Sequence, residues 1–196
     1  IDLIYGLPGQ SLDGFRRTLD TVVAMRPDRL AVYSYAHLPH IFKPQKQIDD
    51  ALLPDPDTKL ALLQAAVEQL TAAGYVYIGM DHFALPDDEL AVAQARGGLH
   101  RNFMGYTTHA DSDLVGLGVS AISHIGNSFS QNPRDLPSWE AALDEGHLPV
   151  FRGMRMDADD VLRADLIQAL MCSAEIPVRA LERRYAIDFP AYFAAS

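Results

Sequence analysis

Thiols are nearly absent from this chain. Cys172 is the only cysteine among 196 residues, so no disulfide can close within it, which fits a reducing compartment such as the cytoplasm. A cluster held by three or four thiolates has no ligand set here. Cys172 itself falls in an apolar helical pattern and reads as a small core residue. Positive charge is also scarce. Sixteen Lys and Arg stand against 26 Asp and Glu, a net charge of −10 spread along the chain. That balance repels a phosphate backbone and argues against nucleic acid as a partner. No apolar run approaches the roughly 20 residues that span a bilayer, and no signal peptide opens the sequence. Seven histidines stand at 37, 40, 82, 100, 109, 124 and 147. None forms the His-x3-His pair with a glutamate that marks a zinc helix, and His37-x2-His40 lies in a proline-rich loop. No metal ligands are therefore assigned. Internal repeats beyond a β–α alternation, and low-complexity segments, are missing too.

What is present suits a folded domain. Hydrophobic residues make up 48% and charged residues 21%, and a chain of this size buries roughly 70% of its unfolded surface. Ile1-Asp2-Leu3-Ile4-Tyr5 reads as a strand stopped by Gly6-Leu7-Pro8-Gly9. Ser11 caps a helix with Phe15, Leu19, Val22 and Val23 on one face. Leu30 to Tyr35 is a second strand. A long loop from Ala36 to about Pro56 carries Pro39, Pro44 and Pro54. A second helix from Asp57 shows a stripe of Leu60, Leu63, Val67 and Leu70 and stops at Gly74. Tyr75 to Met80 is a third strand. The alternation β-α-β-α-β predicts an α/β fold with parallel strands, part of a (β/α) barrel or a doubly wound sheet.

Beyond Asp81 the pattern is looser. A short helix is expected over Glu89 to Arg96, a glycine-spaced β-rich run over Leu114 to Ser123, and a helix around Trp139, Ala142 and Leu143 ending at Gly146. From Asp157 the character turns helical, with Val161, Leu162, Leu166, Ile167 and Leu170 on one helix. A second helix opens at Ile176-Pro177 and a third at Phe189, like the front of a winged-helix module. The expected division is 1–150 and 151–196. Both ends read as cuts in a longer protein: Ile1 stands inside a strand pattern, and Ala194-Ala195-Ser196 follows directly on a helical one.

Four places invite a functional reading. Asp2 interrupts an apolar strand that a parallel sheet would bury on both faces. An ionised carboxylate there needs a partner: a structural hydrogen bond or ion pair on one reading, the hydroxyl or amine donors of a ligand on the other. Asp81-His82-Phe83 closes the third strand, and that end of α/β sheets carries ligand sites; a self-satisfied His–Asp pair is the alternative. Gly116-Leu117-Gly118 lacks the third glycine and the strand-to-helix turn of a dinucleotide loop, so it marks close packing or a ligand near the backbone. Arg179, Arg183 and Arg184 would serve a helix-turn-helix, but Glu182 and the acidic chain oppose that.

Five segments together carry a resemblance. They are Ile1-Asp2-Leu3-Ile4-Tyr5-Gly6-Leu7-Pro8, Tyr35-Ala36-His37-Leu38-Pro39, Gly79-Met80-Asp81-His82-Phe83-Ala84, His100-Arg101-Asn102-Phe103-Met104-Gly105-Tyr106-Thr107-Thr108 and Gly118-Val119-Ser120-Ala121-Ile122-Ser123. In this order they resemble the oxygen-independent coproporphyrinogen III oxidases (coproporphyrinogen dehydrogenases), radical S-adenosylmethionine enzymes of haem biosynthesis. The resemblance implies the second half of a partial (β/α) radical-SAM barrel, followed by the start of a C-terminal helical, winged-helix-like domain. It implies a reaction in which two propionates of coproporphyrinogen III become the vinyl groups of protoporphyrinogen IX. A 4Fe-4S cluster would split S-adenosylmethionine, and the deoxyadenosyl radical would take hydrogen from the propionate β-carbon. Two S-adenosylmethionine sites, an electron acceptor and a monomeric cytoplasmic parent come with it.

Position by position, Asp2 and Ala36 match contacts to the second S-adenosylmethionine, and Ile122 matches a contact to the first. Asp81-His82 and Arg101-Asn102 are the candidates for the tetrapyrrole side. The family's Cys-x3-Cys-x2-Cys motif is missing, so this piece is expected neither to hold the cluster nor to catalyse. A related radical-SAM-like haem chaperone shares the Tyr-Gly-Leu-Pro strand, but its His-Asn-x2-Tyr-Trp motif is not found.

Overall fold

The computed structural model describes residues 1–110 and 112–194. The chain divides into two compact units, Ile1–Gly98 and Leu99–Ser196. The junction expected near Phe151 falls inside the second unit, and the last two residues of the expected 151–196 segment lie outside the described residues.

The first unit starts with β1 (Asp2–Tyr5), α1 (Leu12–Met25) and β2 (Arg29–Ser34). Ser11 caps α1 by accepting a hydrogen bond from the Gly14 N–H at 3.2 Å. Arg26, in the left-handed region at φ 48°, ends it ahead of Pro27. As expected, Phe15, Leu19 and Val22 are its buried face. β1 and β2 are parallel, with Asp2 opposite Ala31 and Tyr5 opposite Ser34.

Helix α2 (Pro56–Ala72) is capped by Asp55, which accepts from the N–H and hydroxyl of Thr58 at 2.8 and 2.9 Å. Those bonds hold the Asp55 carboxyl below its ordinary range. Its buried face is Leu62, Ala65, Ala66 and Leu70. Of the expected stripe, Leu70 is buried and Val67 packs against the core, Leu63 is half-buried, and Leu60 alone is turned out, 63% exposed. Alanines at 65 and 66 complete the inward face, and a stripe drawn on large residues alone misses them.

β3 (Val76–Gly79) is followed at once by β4 (His82–Ala84). Gly79 at φ 148° and Met80 at φ 50° turn the chain back, and Gly79 comes to lie opposite His82. The sheet order is β1-β2-β4-β3. β4 is antiparallel to both β2 and β3, so β3 runs the same way as β1 and β2. The expected parallel set is thus present, but a short reversed strand stands inside it. Helices α1 and α2 cover one face around Phe15, Leu19, Leu30, Val32, Leu62 and Phe83. Helix α3 (Glu89–Ala95), capped by Asp88, packs beside β3, where Gln94 donates to the carbonyls of Tyr77 and Ile78.

The second unit opens with a hairpin, β5 (His100–Asn102) and β6 (Gly105–Thr107). The Asn102 side chain accepts from the Met104 N–H at 2.8 Å across its turn. β7 (Ile122–Ile125), β8 (Ser128–Gln131) and β9 (Arg152–Arg155) form an antiparallel sheet in that order. Helix α4 (Leu136–Asp144) lies between β8 and β9 in the chain, capped by Asp135. Then come α5 (Ala158–Ser173), α6 (Val178–Tyr185) and α7 (Phe189–Tyr192). Asp157 and Asp160 close a capping box on α5. Of the stripe expected on α5, Leu162 is buried while Ile167 is exposed.

Candidate functional site

In the first unit two surfaces bear the candidate residues. At the carboxyl ends of β1 and β2 lies a cleft of about 460 Å³, lined among others by Gly6, Tyr35, Ala36, His37 and Lys59. Gln10 folds back under it: its side-chain oxygen accepts from the Gly6 N–H at 2.6 Å and its amide donates to the Ile4 carbonyl at 3.3 Å. Lys59 reaches in from α2 and donates to the Tyr35 carbonyl at 3.1 Å.

The loop after Ala36 is built, not slack. Gln45 accepts from the Leu38 N–H at 2.6 Å and donates to the Ala36 carbonyl at 3.1 Å. His37 meets the Tyr35 hydroxyl at 3.3 Å through Nδ1, and its Nε2 lies 2.9 Å from Asp50, an ion-pair contact rather than an aligned hydrogen bond. Two single-turn 3-10 helices, Lys43–Gln47 and Asp50–Leu52, carry these partners.

The second surface is the sheet face opposite α1 and α2. Leu3 and Tyr5 point to the helices, so Asp2 and Ile4 point away. Register sets Asp2 beside Ala31, and Ala31 beside His82. Tyr33 meets the His82 ring edge-on at 6.1 Å, and His82 Nδ1 lies 2.7 Å from Asp81 Oδ1. The His–Asp pair given as the alternative to a ligand site is formed.

Asp2 itself is a correction. It was expected to be buried between two covered faces; it is exposed, as is Ile4 at 45%. β1 is an edge strand, and no helix of this unit lies over its outer face, so exposure alternates along it. Among the described residues the Asp2 carboxylate therefore faces solvent. Asp2 and Ala36 share the unit without adjoining. Asp2 pairs with Ala31, five residues before Ala36, about 16 Å along an extended strand. A ligand touching both must lie along β2.

Ile122 belongs to the second unit. It begins β7, half-buried, opposite Gln131. The backbone of Gly116 approaches it so closely that a Cβ there would stand 2.7 Å from the Ile122 carbonyl oxygen. This supports the close-packing reading of Gly116-Leu117-Gly118.

The richest cavity of this unit is lined in part by the candidate Arg101-Asn102 pair, but its aromatic wall was not foreseen. The cavity measures about 710 Å³ and lies against β5, β8 and α5. His124 stacks on Phe129 at 4.1 Å with the rings 14° apart. The Arg101 guanidinium lies 4.7 Å from the Tyr106 ring centroid. Gln168 grips the Arg101 backbone from α5, accepting from its N–H at 3.1 Å and donating to its carbonyl. Asp165 forms an ion pair with Arg184 at 2.7 Å and accepts a hydrogen bond from the Tyr185 hydroxyl at 2.5 Å. Burial first, and Asp165 second, push the Tyr185 phenol up to about 12. Arg101 was a candidate; the aromatic wall was not, because Phe129 sits in the polar run Ser128-Phe129-Ser130-Gln131 without strand-like alternation of its own.

A thiolate-held cluster does not fit this chain. Cys172, half-buried, is its only thiol, and burial pushes that thiol up, away from the thiolate form a metal takes. Among the described residues no three His, Cys, Asp or Glu converge as ligands.

No family model matches the chain. Curated relatives match it closely. The oxygen-independent coproporphyrinogen III oxidase of Pseudomonas aeruginosa is 56% identical over 194 residues, 99% of this chain and 42% of that protein. The enzyme of the same name from Escherichia coli is 50% identical over the same span and shares. The solved structure of coproporphyrinogen III oxidase (HemN) from Escherichia coli, described as a radical SAM enzyme, superposes with a TM-score of 0.94 at 50% identity. It covers 99% of this chain and 45% of that one. Over 99% of its length the chain is similar to oxygen-independent coproporphyrinogen III oxidases. The resemblance carried by the five motifs is a finding, and the haem-chaperone alternative is not favoured. The α/β fold, with seven helices among the described residues and mixed sheets, is shared with that radical SAM enzyme. The chain spans about two fifths of the length of the curated relatives named.

Proposed function

We propose that this chain is one part of an anaerobic coproporphyrinogen III dehydrogenase, an oxidoreductase that converts two propionates of coproporphyrinogen III to the vinyl groups of protoporphyrinogen IX. The observation that carries the reading is 50% identity joined to a TM-score of 0.94 with a radical SAM enzyme of that name over 99% of the chain. On this reading residues 1–150 are the second half of a (β/α) barrel with its pocket loops, and the open sheet face of the first unit belongs to the barrel interior. Residues 151–196 begin a winged-helix-like domain. The parent works as a cytoplasmic monomer with an electron acceptor.

Asp2 is read as a contact of the second S-adenosylmethionine. Its open carboxylate has the chemistry to accept from ribose hydroxyls or an amine. Ala36 is read as another contact of that molecule, in a cleft where Lys59 offers a cation. Ile122 is read as an apolar contact of the first. When bound, S-adenosylmethionine with a 4Fe-4S cluster supplies the radical chemistry; this chain contributes position and exclusion of water. The cluster ligands belong to a part of the parent outside these 196 residues, since one cysteine cannot form the set.

The test is reconstitution of the parent protein with iron and sulfide without oxygen. Deoxyadenosine and protoporphyrinogen IX should appear together. Deoxyadenosine with no vinyl product would keep the superfamily and remove the substrate.

A further inference from the structure

The cavity of the second unit carries chemistry that the contacts at Asp2, Ala36 and Ile122 do not use. Its volume, about 710 Å³, suits a small organic ligand, for which sites run about 300–1,000 Å³. One wall is flat and aromatic. His124 lies parallel on Phe129, and Phe103 meets Phe129 edge-on at 5.5 Å while remaining 59% exposed. Arg101 and Arg184 also line the space, the latter beside Asp165.

The two arginines differ. Arg184 is already paired with Asp165. Arg101 rests on Tyr106, and its Nη1 is enclosed with no hydrogen-bond partner among the described residues. The Nε2 of His124 is enclosed in the same way. Buried polar atoms left unpaired are costly and uncommon; the guanidinium Nη1 calls for an acceptor, while the His124 nitrogen donates or accepts according to its tautomer. A carboxylate is the acceptor a guanidinium fork takes best. With a turn of the Arg101 side chain toward the cavity it lines, an entering carboxylate would supply it. The aromatic wall then receives a flat ring.

We propose that this cavity binds a planar pyrrolic ring bearing a carboxylate on a short aliphatic arm, with the ring on the Phe129–His124 stack and the carboxylate on Arg101. A flat ring bearing a carboxylate is what the cavity itself supports. Its identification with the substrate's propionate-bearing ring rests on the function proposed above.

The probe is coproporphyrin III, the oxidised and unreactive ring with four propionates. Its tetramethyl ester presents the same ring without carboxylates. Binding to the parent protein is followed by fluorescence anisotropy. The acid should bind and the ester should bind far more weakly. Arg101→Gln should weaken the acid about tenfold or more while leaving the ester unchanged, as expected when a charged hydrogen bond is lost. Arg184→Gln should do much less. Failure of the acid to bind, or equal binding of acid and ester by the unaltered protein, overturns the proposal without reliance on any variant. So does equal binding of the acid by a folded Arg101→Gln protein.

Turnover by the same protein separates this proposal from the wider reading. Vinyl product with an unchanged KM in Arg101→Gln would sink the cavity and leave the reaction standing. Arg101-dependent capture of the acid by a parent that makes no vinyl product would do the reverse.

Discussion

Lys59 arches over Gly6. A Cβ built on Gly6 would stand 2.7 Å from Lys59 Cε, and Gly6 holds φ at +83°. The glycine closing β1 thus does two things: it turns the chain, and it leaves room for the cation from α2 to reach the Tyr35 carbonyl. Gly6→Ala should destabilise the chain by about 1–2 kcal/mol, the usual cost of a left-handed backbone for a side-chain-bearing residue. The flexible lysine tail yields at little further cost, but its bond to Tyr35 goes with it. Thermal melts check the first effect. Lys59→Met, which keeps an apolar stem and loses the ammonium, checks the second. In the parent it should weaken S-adenosylmethionine binding at the Ala36 cleft while the melt of the chain hardly moves.

Two leucines two residues apart, on opposite sides of the helix, settle the phase of α2. Leu62 is fully buried and Leu60 is 63% exposed. Leu62→Ala should cost about 2–5 kcal/mol through lost burial and the cavity left behind. Leu60→Ala should stay within about 0.5 kcal/mol. Equal effects in urea unfolding would show that the helix presents a different face.

Much of the first unit was legible because its elements announce themselves. Ser11 and Gly74 mark helix ends, and Ile1 to Tyr5, Leu30 to Tyr35 and Tyr75 to Met80 are plainly strand-like. The reversal at Gly79-Met80 was not legible, because it depends on two backbone angles that only the pairing of Gly79 with His82 makes visible. In the second unit β5, β8 and β9 escaped notice. Each is three or four residues long and mostly polar, so each owes its form to a neighbouring strand rather than to its own pattern. Asp2 was legible as an anomaly but not as an exposed one. A strand pattern tells which residues alternate, not which face of the sheet is covered.

Exposure gives Asp2 a sharp test. Asp2→Asn keeps the shape and removes the charge. Stability of the chain should change by about 0.5 kcal/mol or less, as for other surface positions. In the reconstituted parent the same change should weaken binding of the second S-adenosylmethionine, read by equilibrium dialysis. A large loss of stability with unchanged binding would return Asp2 to a structural role.

Tyr185 offers a pH signature for the second unit. Its phenol is pushed up to about 12 from an ordinary 10, by burial and by its hydrogen bond to Asp165. The folded state therefore holds this proton more tightly than the unfolded chain. The stabilisation is complete below pH 10 and is lost between pH 10 and about 12, as the unfolded phenol ionises first and the folded one follows. Tyr185→Phe should remove that share of the alkaline decline, and phenolate absorbance should lose its latest component. Loss of an early component instead would mean that the hydroxyl faces water. Asp165 would then be free to spend its charge on Arg184 alone.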